Sequence, residues 1–176
     1  MNYSQHFQES EFTYSATANK YKQSNLPTPE HKKNLITLCN KVLEPLRELI
    51  INSYKEYNNK KVKSVAINIT SGYRSETVNK LLEKEGYHPS RTSQHCKGQA
   101  ADIQVVLIFT DNTKFNLPFS ETYKFIKNLV KNKKLIVDQL IQEKQGSMTW
   151  VHISYREGNN RNQFLIFDGK GYRDDK

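Results

Sequence analysis

The segment Ser93-Gln-His-Cys-Lys-Gly-Gln-Ala-Ala-Asp102 places an imidazole and a carboxylate seven positions apart, with Gly98 between them. A tight turn at Gly98-Gln99 would set residues 95 and 102 opposite each other and bring both side chains to one point. An imidazole and a carboxylate are two of the three protein ligands that an open, hydrolytic zinc site takes, the fourth position being water. The third must come from elsewhere. His6 lies in a polar N-terminal segment, His31 opens a helix, and His88 precedes Pro89 in a loop. His152 stands within a strand-like run, Thr149-Trp-Val-His-Ile-Ser154, and shares a face with Trp150 and Met148. Taken with His95 and Asp102, it is the candidate third ligand. Cys96 adjoins His95, and because adjacent side chains diverge it reads as a neighbour of the site.

The elements that must position these residues follow from periodicity. Thr28-Pro29 is a helix start, an N-cap followed by proline at the first helical position. Leu35, Leu38, Cys39, Val42, Leu46, Leu49 and Ile50 then recur at three-to-four spacing, the stripe of an amphipathic helix, with Cys39 as a small buried hydrophobe. Pro45 predicts a kink about one turn behind itself. Val62–Thr70 alternates as a strand that Ser71-Gly72 ends, and Ser75 caps a short helix stopped at Gly86. Ala100–Phe109 is the most strand-like run of the chain. A third helix begins near Ser120 and buries Phe125, Ile126, Leu129 and Val130. Leu135–Gln142 and Met148–Tyr155 read as a hairpin around Gln145-Gly146, and Phe164–Phe167 as one more strand. The pattern predicts a single α+β domain, an antiparallel sheet with flanking helices. Residues 1–27 read as an arm that Phe7, Phe12 and Tyr14 pack onto the domain of residues 28–176.

Bulk properties narrow the function. A chain of 176 residues can bury a core without staples, and two cysteines are too few for a disulfide framework or a Cys-rich zinc site. The net charge of +9 suits a polyanionic partner. The lysines are nevertheless dispersed, with short runs such as Lys60-Lys61 and Lys133-Lys134, and no motif of a nucleic-acid module accompanies them, so no nucleic-acid partner is expected. No run approaches the length of a membrane span, and the start lacks the basic and apolar regions of a signal peptide. Synthesis in the cytoplasm is expected, with a lysed cell or a virus particle as routes of delivery.

These segments together carry a resemblance. Ser10–Ala18, Ser71-Gly-Tyr-Arg-Ser75 with Val78-Asn79, Ser93-x-His95-x-x-Gly98-x-Ala100-x-Asp102-Ile103, Asp138-Gln-Leu-Ile141 with Glu143, and Trp150-Val-His-Ile-Ser-Tyr-Arg156 follow one another in order over most of the chain. The chain resembles the zinc D-alanyl-D-alanine carboxypeptidase family, most closely its small branch found in phages and bacteria. The resemblance implies a hedgehog/DD-peptidase-like fold and zinc bound by His95, Asp102 and His152. It implies that Arg74 holds a substrate oxygen, either a carboxylate or the scissile carbonyl, through its planar fork of donors. A structural ion pair is the other reading of Arg74. Ser93 matches a serine that lines the site, with a local backbone turn as its alternative. The implied substrate is a peptidoglycan stem peptide, cut at D-Ala-D-Ala or at a cross-link.

One position departs from the pattern. Many relatives carry an acid three residues before the last histidine, where it is the general base for the attacking water; here it is Thr149. Glu143 is the candidate in its place. A hairpin setting residue 143 opposite 148 puts Glu143 on the face of His152, but about 13 Å further along at ~3.3 Å per residue. The same register sets Gln139 facing His152, as a residue that orients it or meets substrate, and leaves Asp138 as a weaker candidate base. Thr149 keeps open the alternative of a zinc-binding, non-catalytic virion or cell-wall-binding protein of the same fold.

Overall fold

A computed structural model describes residues 1–87, 89–90 and 92–176, so the loop position assigned to His88 lies outside the described residues. Helix α1 (Glu9–Thr13) and α2 (Ala16–Lys20) come first, the latter capped by the Ser15 hydroxyl. In α3 (Pro29–Leu38) Thr28 accepts the His31 N–H and Pro29 occupies the first turn. The helix then widens into one π-turn over Cys39–Leu43, where Glu44 N–H reaches back to the Cys39 carbonyl, and continues as α4 (Glu44–Ser53). This is the accommodation of Pro45: it has no N–H to give and its ring would collide with the carbonyl one turn back, so the backbone inserts an extra residue there.

Eight strands follow: β1 (Glu56–Tyr57), β2 (Lys60–Ser71), β3 (Ala100–Phe109), β4 (Lys114–Asn116), β5 (Gln139–Gln145), β6 (Met148–Ser154), β7 (Gln163–Phe167) and β8 (Tyr172–Asp174). Their order in the sheet is β1-β2-β3-β6-β5-β7-β8, with β4 beside β3. Every pairing is antiparallel except β5 with β7, which is parallel. The sequence pattern missed this parallel pair because the connection from β6 to β7 passes over the end of β5 rather than turning back as a hairpin.

Two further helices complete the fold. Ser75 caps α5 (Glu76–Lys84), and α6 (Phe119–Lys131) packs on β5 and β6. Within α6, Tyr123, Ile126, Leu129 and Val130 are buried, whereas Phe125 is half-buried. The sheet therefore has two unlike faces. Ala101, Ile103, Val105 and Leu107 of β3 join Val151, Ile153 and Leu140 in one apolar core with Leu35, Leu38, Val42, Leu46 and Ile50. Asp102 and His152 point the other way, as strand alternation requires.

Near the N-terminus, Tyr3, Phe7 and Phe12 belong to the same core, while Tyr14 is exposed and does not contribute. The Phe12 carbonyl accepts the Tyr73 N–H at 2.7 Å, and a Cβ on Gly72 would run into the Phe12 backbone. Only glycine permits this approach. Among the described residues no helix is long and apolar enough to cross a membrane.

Candidate active site

Asp102 and His152 are direct partners across the β3–β6 pair, so their side chains emerge side by side. His95 reaches them differently from the turn expected on sequence. Residues Gln94–Lys97 form a single 3-10 turn that Gly98 terminates in the left-handed region at φ 65°, and Gln99 N–H closes back on the Gln94 carbonyl. His95 and Asp102 thus converge from a helical turn and a strand rather than across a hairpin. A Cβ on Gly98 would overlap the His31 carbonyl, so the turn fits against α3 only with glycine there.

The three donor atoms form a small triangle. His95 Nε2 lies 3.1 Å from His152 Nδ1 and 3.3 Å from Asp102 Oδ1, and His152 Nδ1 lies 3.2 Å from that same oxygen. A tetrahedral zinc about 2.0–2.1 Å from each ligand requires ligand–ligand edges of roughly 3.3–3.4 Å. The proton inventory agrees. His95 Nδ1 is 2.6 Å from the Gly72 carbonyl, which can only accept, so Nδ1 carries the proton and Nε2 presents a lone pair. Burial, followed by the nearby charge of Arg74, pushes His95 down to about 4, which keeps the ring neutral. Although burial opposes it, the two imidazoles hold Asp102 ionised, well below the usual carboxylate range. Two imidazole nitrogens and a carboxylate oxygen within 3.3 Å of one another, all buried, suit a cation at their centre. Cys96 contributes nothing to this group.

The Gly72 carbonyl that fixes the His95 ring is the product of the β2 end. Register is irregular between Ile69 and Ser71, and Ser71 then pairs with Asp102. Such a bulge turns the strand and delivers Gly72 over the imidazole.

Around the triangle lies a cleft of about 1120 Å³. Arg74 lines it, and its backbone N–H donates to the His95 carbonyl at 3.3 Å. Its Nη2 lies 3.5 Å from the Ser93 hydroxyl, its Nε is buried without a hydrogen-bond partner, and it forms no ion pair among the described residues. The structural ion-pair reading of Arg74 therefore has no partner among the described residues. Ser93 is buried beside it, its carbonyl accepting Cys96 N–H while its hydroxyl faces the cleft.

Hairpin register differs from the sequence expectation by two residues. Gln145 pairs with Met148, leaving Gly146-Ser147 as a two-residue loop with Gly146 at φ 60°, as a primed hairpin turn demands at its first central position. Glu143 therefore faces Trp150 instead of Met148, and lies two residues, roughly 7 Å, from the Ile141–His152 pair rather than about 13 Å. It lines the cleft on the face of His152. Burial pushes its carboxyl up to about 7, against the pull of His152 and with the push of Asp102. Thr149 pairs with Lys144, on the opposite face from His152, so an acid there would point away from the triangle in this strand.

The same shift corrects two other expectations. Gln139 does not face His152. It sits at the start of β5, where its N–H bonds to the Ser154 hydroxyl and its side chain to Gln163, though it still borders the cleft. Asp138 is no candidate base: it is fully buried and held by Arg156, Arg161 and Gln94. Burial pushes its carboxyl up, but the hydrogen bonds from the two arginines prevail and hold it at about 2. Tyr172 of β8 was not singled out by the sequence. It lines the cleft while 56% exposed, and partial desolvation, together with the negative charges of Glu143 and Asp102, pushes its phenol up. Nothing in the local sequence signals this, because Tyr172 reaches the cleft only through the pairing of β8 with β7.

Comparison with curated proteins and with solved structures gives no match. A family model described as Peptidase M15 matches residues 5–117, which include Arg74, His95 and Asp102 but stop before Glu143 and His152. The matched portion is more than half of the chain, and the unmatched β6 brings His152 beside His95 and Asp102 inside it. The chain belongs to the M15 family of zinc D-Ala-D-Ala carboxypeptidase-type metallopeptidases.

Proposed function

We propose that this protein is a zinc-dependent hydrolase of peptide bonds in peptidoglycan stem peptides, of D,D-carboxypeptidase or endopeptidase type. The observation that carries this reading is one cleft holding three convergent donors, a half-buried carboxyl pushed up to about 7 and an arginine with an unpartnered buried nitrogen. His95 Nε2, Asp102 Oδ1 and His152 Nδ1 would hold the zinc. Zinc in such a site supplies Lewis acidity and lowers the pKa of water. Glu143 takes the proton from the attacking water and returns it to the leaving amine, a role for which a carboxyl tuned near neutrality is suited. Arg74 donates to the carbonyl or carboxylate oxygen of the substrate, and Ser93 orients the peptide beside it. Gln139 borders the substrate path. In this reading residues 28–176 form the catalytic domain, with residues 1–27 as an arm whose Phe12 supports the Gly72 turn. The net charge of +9 favours an anionic cell-wall polymer.

The test is incubation of zinc-loaded protein with purified peptidoglycan and with stem pentapeptide, followed by quantitation of new amines and mass analysis of the products. Loss of a terminal D-Ala identifies a carboxypeptidase, and cleavage of a cross-link an endopeptidase. Stoichiometric zinc with no new amine would instead establish the non-catalytic, zinc-binding alternative.

A further inference from the structure

Beyond the metal triangle, the same cleft has a second charged centre that the hydrolytic chemistry does not use. Asp138 is 0% exposed, and two arginines converge on it: Arg156 Nη2 at 2.8 Å from Oδ1, and Arg161 with Nη2 at 2.6 Å from Oδ2 and Nε at 3.0 Å from Oδ1. Gln94 Nε2 and the Arg161 backbone N–H complete its shell at 2.9 and 3.2 Å. One carboxylate thus faces two guanidinium groups, leaving one positive charge in excess. Both arginine side chains remain partly open, 34% and 45% exposed, and both line the cleft that contains His152 and Glu143. Arg156 gives Asp138 a single side-chain hydrogen bond, and its Nε is buried without a partner.

The loop that carries the pair is prearranged. Arg156 N–H bonds to Asn160 Oδ1 at 2.8 Å, Asn162 exchanges bonds with Val137 at 3.0 and 3.1 Å, and Gly158 turns the chain at φ 82°. A guanidinium braced on a buried carboxylate has lost much of its rotamer freedom before any ligand arrives, which favours planar, two-point recognition of a second carboxylate. Distance also fits a peptide. Four residues separate His152 from Arg156, a span of no more than about 14 Å, or three to four residues of extended chain.

We propose that Arg156, braced on Asp138 alongside Arg161, forms a carboxylate subsite that binds a free carboxylate of the peptide a few residues from the scissile bond. The proposal rests on the hydrolase reading for the identity of the peptide but is measured by binding alone. Glu143→Gln protein, which does not turn substrate over in that reading, is titrated calorimetrically with stem pentapeptide and with variants in which each carboxylate in turn is a carboxamide. One amidation is expected to weaken binding on the order of tenfold or more. Adding Arg156→Gln should weaken the parent peptide by a similar factor and leave the amidated one within about twofold, while Arg156→Lys restores part of the discrimination. Arg156→Gln keeps Asp138 paired through Arg161, so the fold is preserved. Equal affinity for the parent and every amidated peptide, or an Arg156→Gln effect of the same size on both, overturns the subsite. Failure of hydrolysis by the unsubstituted protein would sink the enzyme reading without touching this measurement.

Discussion

Glu143 stands across β6 from Trp150, on the face of His152 and one strand repeat from it, because a two-residue loop closes the β5–β6 hairpin. That relationship makes Glu143 the only acid besides Asp102 that both lines the cleft and sits on the His152 face of these strands, among the described residues. Glu143→Gln is expected to retain zinc at one equivalent and to lose turnover by at least about a hundredfold. Metal analysis and kcat measured on the same preparation decide it, and a near-normal kcat would remove Glu143 from the mechanism.

The acid limb of activity should report the same carboxyl. A base works only when ionised, so kcat/KM falls about tenfold per pH unit below its pKa and levels off above it. Burial pushes Glu143 up to about 7 from its ordinary 4.5, with His152 and Arg74 pulling down and Asp102 pushing up. The charge of bound zinc adds a further downward pull, so the limb is expected between 4.5 and 7. Residual activity of Glu143→Gln should show no such limb, and a limb persisting in that variant would assign it to another group.

Each of His95→Ala, Asp102→Ala and His152→Ala should abolish stoichiometric zinc, since a triangle reduced to two donors leaves the ion without a closed protein face. Zinc should also stabilise the unsubstituted protein by about 1.4 kcal/mol for every tenfold of free metal above Kd, raising its thermal midpoint, and leave the three variants unmoved. Full zinc content in His152→Ala would mean that β6 does not supply the third ligand.

Two left-handed glycines give a paired test of the turn behind His95. Gly98 sits at φ 65° with the His31 carbonyl in the place of a Cβ, whereas Gly146 sits at φ 60° with nothing within 4 Å. Gly146→Ala should cost only the conformational penalty of an L-residue at positive φ, about 1–2 kcal/mol. Gly98→Ala should cost clearly more in denaturant unfolding and should weaken zinc binding through displacement of His95. Equal effects would show that the contact with α3 does not constrain the metal turn.

Much of this fold can be read from residues in isolation. The stripe from Leu35 to Ile50, the Thr28-Pro29 start and the apolar run of β3 are local signals, and Pro45 marks the π-turn because its missing N–H acts within one turn. The parallel β5–β7 pair and the contribution of Tyr172 are not local: both depend on where a returning chain docks. Asp138 looked like a spare carboxylate until Arg156 and Arg161, 18 and 23 residues away, closed on it.

Sequence alone determined which side chains this protein could bring to a metal and roughly where the longer helices and strands would run, because ligand chemistry and periodicity are properties of residue types and short-range spacing. Tertiary structure alone decided how those side chains meet. His95 arrives from a helical turn rather than a hairpin, and a two-residue change in strand register moves Glu143 to roughly 7 Å from the His152 pair and takes Gln139 out of register with His152. Register depends on the length and handedness of a turn and on which face must enter the core, and neither is set by the residues whose chemistry it governs.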